Sequence, residues 1–144
     1  MGGRHQKGTA LDARSVDLKA KLEIYKATTP GGSLGDCPVR DVISCISGKW
    51  NSLLVMALAE RAYRFGELRR LVPDISQRML TQTLHDLQRD GYVHREVFPT
   101  KPPSVEYSLT DMGRSMFEAL RQLIGWAELN HQAVRSARAK FDAG

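Results

Sequence analysis

The 144-residue chain reads as mainly α with a small β-hairpin, and three observations carry that reading. Apolar residues recur at helical spacing in several short segments before residue 90. Two β-rich runs follow, Tyr92 to Phe98 and Ser104 to Leu109, separated by the stiff tip Pro99-Thr100-Lys101-Pro102-Pro103. The chain then closes with one long amphipathic stretch from Thr110 to Phe141.

Taken in order, residues 1–36 form an N-terminal extension. Residues 1–9 are small, polar and basic, and are expected to be disordered. Leu11, Val16, Leu18, Leu22, Ile24 and Tyr25 predict a helix over 11–27 without a clean stripe. Thr28 to Asp36, with one proline and three glycines, reads as a linker. The body opens at Cys37-Pro38, proline suiting a first helical turn, and Val39, Val42, Ile43 and Ile46 carry a short helix to Gly48. A second helix follows Trp50 and ends near Arg61, with Leu53, Leu54, Ala57 and Leu58 inward. Phe65 to Val72 is a third, with Phe65, Leu68, Leu71 and Val72 on its apolar side.

Ser76 suits the N-cap of a fourth helix, with Ile75 before it positioned to pack on Leu80. Leu80, Leu84 and Leu87 form its buried stripe, and Asp90-Gly91 ends it. In the hairpin, Val105, Tyr107 and Leu109 alternate with Ser104, Glu106 and Ser108, as in a half-buried strand. Thr110 caps the final helix, whose stripe of Met116, Leu120, Leu123 and Ala127 is broadened by Phe117, Ile124 and Trp126. Through Phe141 that helix would extend roughly 45 Å, more than a compact body covers, so the excess apolar surface predicts pairing with a second copy.

Bulk composition decides little. Net charge is +5, yet basic and acidic residues number six and four in 1–36, ten and eight in 37–110, and five and four in 111–144, so no segment is a basic tail. The longest apolar run, Leu53 to Ala59, is far short of a membrane span, and no signal-peptide pattern is present, so the expected location is the cytoplasm without membrane association. Cys37 and Cys45 form no zinc-finger spacing, and His5, His85, His94 and His131 are scattered, so neither a metal nor a cofactor is expected. No activated nucleophile, acid–base pair or phosphate loop points to an enzyme, and no catalytic residue is assigned.

The order helix, helix, turn, helix, hairpin is that of a winged helix-turn-helix. With its leucines removed, the fourth helix leaves Ser76, Gln77, Arg78, Thr81, Gln82 and His85 exposed, and no acidic residue interrupts this face before Asp86. Glutamine can pair bidentately with adenine and arginine with guanine, while serine and threonine reach bases or phosphates. Any solvated helix face is polar, so the face alone is a weak sign. Arg64, Arg69 and Arg70 on the preceding helix, Arg95 and Lys101 on the hairpin and its tip, and Lys49 surround it as candidate phosphate contacts.

From Cys37 onward the chain resembles the HxlR family of winged helix-turn-helix regulators, within the MarR-like superfamily. The resemblance rests on Cys37-Pro38, Gly48-Lys49-Trp50, Arg64-Phe65-Gly66-Glu67-Leu68, Ile75-Ser76-Gln77, Leu80 to Leu87, Asp90-Gly91, and Pro102 to Thr110 through Gly113, covering about residues 37–130. It implies a homodimer on double-stranded DNA carrying an inverted-repeat operator, a winged helix with N- and C-terminal dimerisation helices, residues 37–110 being the DNA-binding domain and 111–144 the C-terminal dimerisation helix. The expected function is a sequence-specific transcriptional regulator, read as a repressor. Ser47 departs from the family's usual glycine, and residues 1–36 are longer than the family core.

Cys37 carries two readings. A thiol at a helix start gains thiolate character from the helix dipole, and similar regulators have a redox- or electrophile-sensing cysteine there, so an oxidant is a candidate effector. Against it, Asp36 disfavours the thiolate, and a small residue that only packs is the plainer account. Cys45 reads as core. Trp50 and Trp126 read as packing anchors, with a small aromatic effector at the dimer seam near Trp126 as an alternative. A winged helix used as a protein-interaction module is the other competing class, disfavoured by a recognition face that is neutral to basic.

Overall fold

A computed structural model describes residues 17–28 and 38–144. The chain divides into two compact units, residues 1–46 and 47–144.

In the first unit, α1 spans Leu18–Thr28. Asp17 caps it, its carboxylate accepting from the Ala20 amide at 3.1 Å. The earlier part of the helix read over 11–27, the linker after Thr28, and Cys37 all lie outside the described residues. Helix α2, Pro38–Ile46, opens on its proline as expected and buries none of its residues, leaving Val39, Val42 and Ile43 on the surface. Cys45, read as core, is half-buried.

The second unit contains α3 (Asn51–Glu60), β1 (Tyr63–Arg64), α4 (Phe65–Leu71), α5 (Gln77–Arg89), β2 (Val93–Phe98), β3 (Ser104–Leu109) and α6 (Asp111–Ala143). The order is that of a winged helix: mainly α, with a small antiparallel sheet. Its core is built from Leu54, Val55 and Leu58 of α3, Leu68 of α4, and Leu80, Leu84 and Leu87 of α5, all essentially without exposure. Each such side chain contributes about 1.5–3 kcal/mol by leaving water. Two inward assignments fail. Leu53 is 44% exposed and Leu71 is 50% exposed, while Val55 takes the inward place on α3. A helix of three turns whose residues are nearly all apolar has no polar face to orient it, so the partners around it select the buried side.

The sheet has three strands, in the order β1-β3-β2. The hairpin was expected, but β1 was not: Tyr63 pairs with Tyr107 and Arg64 with Glu106. Two residues are too few to show a period of two. In the hairpin Val93 stands opposite Leu109, Arg95 opposite Tyr107 and Glu96 opposite Glu106. Val93, Tyr107 and Leu109 are buried, which seats the wing's base on the core.

The junction between α5, the wing and α6 is closely tied. Gly91 ends α5 with a φ of +83°, a conformation that disfavours side chains. Thr110 donates its hydroxyl to the Gly91 carbonyl at 2.6 Å, accepts from the Gly113 amide at 3.0 Å, and donates its own amide to Tyr92. A Cβ on Gly113 would collide with the Tyr92 carbonyl, so glycine lets α6 start flush against the strand. From there α6 runs 33 residues. Its predicted stripe splits along its length: Leu120 is buried, Met116, Phe117 and Ile124 are half-buried, and Leu123 and Trp126 are 62% and 56% exposed.

Candidate nucleic-acid interface

The helix-turn-helix is α4, the turn Val72–Ser76, and α5. The turn is short because Val72 accepts the Ile75 amide at 3.2 Å and Ile75 is buried beneath it. Ser76 caps α5 as expected, its hydroxyl oxygen accepting the Met79 amide at 3.0 Å. Leu80, Thr83, Leu84 and Leu87 are buried, and Thr83 satisfies its hydroxyl by donating to the Met79 carbonyl at 2.8 Å. At 3.6 residues per turn, Arg78, Gln82, His85 and Arg89 then lie opposite the core, with Gln77 and Thr81 on one flank.

These side chains are not equally free. Thr81 donates its hydroxyl to the Gln77 carbonyl at 2.9 Å. Gln77 Oε1 accepts from Arg69 Nη1 at 3.2 Å, a bond that joins α4 to the first turn of α5. Gln82 Nε2 donates to Asp86 Oδ1 at 2.9 Å, and His85 Nδ1 stands 3.6 Å from the same oxygen. Arg78 is exposed and makes no hydrogen bond or ion pair among the described residues. It is thus the side chain of this face most available for a bidentate contact.

The surrounding cations fall into three places. Arg64 and Arg70 line a groove of about 450 Å³ with Gly66, Pro103, Ser104 and Val105, between the start of α4 and the wing. Arg69 and Arg70 line a neighbouring hollow with Gly66 and Pro73. Arg64 was read as part of the preceding helix; it lies in β1, at the N-cap of α4, because the chain is still extended there. Lys101 occupies the exposed wing tip, before a cis bond to Pro102. Arg95 lies on the sheet face of Val93 and Tyr107 rather than on that of His94 and Glu96. Lys49 lies in the turn before α3, its ammonium 5.0 Å over the Trp50 ring.

An acid in the groove itself, Glu67, is neutralised by its neighbours. Glu67 accepts the Arg64 amide at 2.9 Å, capping α4, and the Arg61 guanidinium at 3.1 Å. The Arg64 amide first, and then Arg61, hold its carboxyl below the ordinary glutamate range. Arg61 in turn lies 3.7 Å over the Tyr63 ring. The negative charge of Glu67 is therefore matched locally. Arg61 and Arg89 were not among the site residues read from the sequence. Continuing the helical period from Arg78 and His85 one further turn finds Arg89, whereas nothing local signals Arg61.

The sequence profile described as HxlR-like helix-turn-helix matches residues 45–135. The chain belongs to this family. Among HxlR-like relatives, the HTH-type transcriptional regulator YybR of Bacillus subtilis is 44% identical over 103 residues, 72% of this chain and 82% of YybR. The solved redox regulator HypR in its reduced form is 43% identical with a TM-score of 0.66, over 69% of this chain and 98% of HypR. Diamide-treated YodB from B. subtilis is 32% identical with a TM-score of 0.58, over 65% of this chain and 93% of YodB. The HxlR-like family is one of DNA-binding transcriptional regulators. No single helix among the described residues is long and apolar enough to cross a membrane.

Proposed function

We propose that this HxlR-like regulator acts as a homodimeric repressor that reads an inverted-repeat operator, with α5 in the major groove and the hairpin as wing. The observation that carries the reading is the α5 face itself: Arg78, Gln82 and His85 exposed on the side opposite Leu80, Leu84 and Leu87. Arg78 pairs with a guanine edge and Gln82 with adenine, while Ser76, Gln77 and Thr81 meet the backbone near the start of the helix. Arg64, Arg69, Arg70 and Lys101 hold phosphates on either side; Arg95 and Lys49 are outer members of this set. In this reading residues 37–110 form the DNA-binding domain, residues 111–144 pair two copies through Leu123 and Trp126, and residues 1–36 are an extension.

Titration of the purified protein against the DNA upstream of its own gene, across salt concentrations, tests it. A steep fall of affinity with salt and preference for one inverted repeat are expected. Absence of specific binding at low salt overturns the reading.

Redox control through Cys37 is the second part of the proposal. HypR has been solved in reduced and oxidised forms, and YodB reduced and diamide-treated, which supports a thiol switch in this chain as well. In the sequence Cys37 stands immediately before Pro38, and a thiol ahead of a helix start gains thiolate character from the helix dipole. Operator affinity of the wild type is expected to change after diamide, and that of Cys37→Ser to stay constant. Equal responses remove Cys37 as the switch.

A further inference from the structure

An aspartate beside a face that meets phosphates needs a physical reason, since its charge repels the backbone. Asp86 lies in the third turn of α5 with its side chain 42% exposed, and its Oδ1 accepts from Gln82 Nε2 at 2.9 Å. An ionised carboxylate can only accept hydrogen bonds, so the end of the Gln82 amide turned toward it is the NH2 group. One of the two amide N–H bonds is committed there. What remains for a partner is one carbonyl acceptor beside one N–H donor.

That remainder discriminates among bases. In the major groove adenine offers an N6 donor beside an N7 acceptor, and guanine offers two acceptors. An untethered glutamine can turn its NH2 toward guanine, whereas one tethered through that group meets guanine with a carbonyl facing an acceptor. We propose that Asp86 is a specificity-positioning residue: it holds the Gln82 amide in the orientation that favours adenine over guanine, and the repulsion it adds to the backbone weakens nonspecific binding. The inference rests on α5 being the groove-reading helix. The bond is worth little in water, where the amide has other partners, and more in a groove from which water is displaced.

The test uses the full-length protein and a pool of random double-stranded 24-mers, selected through several rounds of binding, with Gln82→Ala, Asp86→Ala and Asp86→Asn carried in parallel. The wild type is expected to enrich an inverted repeat containing an adenine whose preference Gln82→Ala abolishes. Asp86→Ala is expected to reduce preference for that adenine over guanine by about tenfold, the scale of a bidentate base contact. Asp86→Asn, which keeps an acceptor oxygen and drops the charge, restores most of that preference. Both Asp86 variants bind random duplex more tightly than wild type, and Asp86→Ala adds no loss of preference when Gln82 is already alanine.

Outcomes separate the two layers. Enrichment of no motif by the wild type overturns the reading of α5, and this inference falls with it. A motif that depends on Gln82 but keeps its full adenine preference in Asp86→Ala overturns the inference alone. So does an Asp86→Asn variant that behaves like Asp86→Ala at that base.

Discussion

Helices α5 and α6 are both amphipathic and both leave one long face uncovered, but the uncovered faces differ in kind. That of α5 carries Arg78, Gln82, His85 and Arg89, while that of α6 carries Leu123, Trp126, Leu129 and Phe141, at 62%, 56%, 87% and 85% exposure. Water satisfies the first face without cost, so polarity alone does not demand a partner. The second face is costly to hydrate, which is why it is the proposed seam between two copies. The difference teaches that a protein partner is announced by unburied area, whereas a nucleic-acid partner is announced by which donors and acceptors share a side.

The strongest way to break this contrast is to make the α6 face polar. Burying a leucine or a larger apolar side chain contributes about 1.5–3 kcal/mol, and a two-fold interface counts every substitution twice. Leu123→Glu combined with Trp126→Ala is therefore expected to weaken self-association by at least two orders of magnitude, measured by sedimentation equilibrium. An unchanged dimer would place the interface elsewhere. On the buried side of α5, Leu84→Ala should cost about 2–5 kcal/mol of unfolding free energy in urea titrations, because Leu84 is 1% exposed and its neighbours cannot collapse fully.

Smaller effects sharpen the polar side. Arg78→Ala is expected to reduce binding to the preferred inverted repeat by about 1–3 kcal/mol while barely altering random duplex, read by competition titration. Arg70→Ala should weaken both alike and lower the salt-dependence slope by about 1, as for a phosphate contact. The smallest effect concerns Glu67, whose carboxyl the Arg64 amide and Arg61 hold below the ordinary range. A group with a lowered folded-state pKa stabilises the fold above its unfolded value, near 4.3, and that contribution is lost as pH falls through the folded value. Thermal melts from pH 6 down to pH 3 should therefore show a shallower decline for Glu67→Gln than for wild type.

Much of the site was legible because its signals are local. The Ser76 cap, the Leu80–Leu84–Leu87 stripe and the Thr110 cap each depend on residues within one or two turns, and all three stand in the structure. The alternation from Ser104 to Leu109 marked β3 to its ends. What was missed depends on distant partners. Strand β1 exists because β3 lies beside Tyr63 and Arg64, and the exposed Leu53 and Leu71, distant in sequence, line one open hollow with Met56 and Pro73. Arg61 joined the site only through Tyr63 and Glu67.

The sequence by itself determined which segments are helices, which face of α5 is polar, and that α6 carries more apolar surface than one chain covers, since each is a matter of spacing along the chain. Tertiary structure decided how those side chains are committed. It tied Gln77 to Arg69, left Arg78 exposed, set Arg64 and Arg70 in one groove with the wing, and matched Glu67 with Arg61. Hydrogen bonds and ion pairs depend on distances of a few ångströms between groups, and periodicity along a chain carries no such distances.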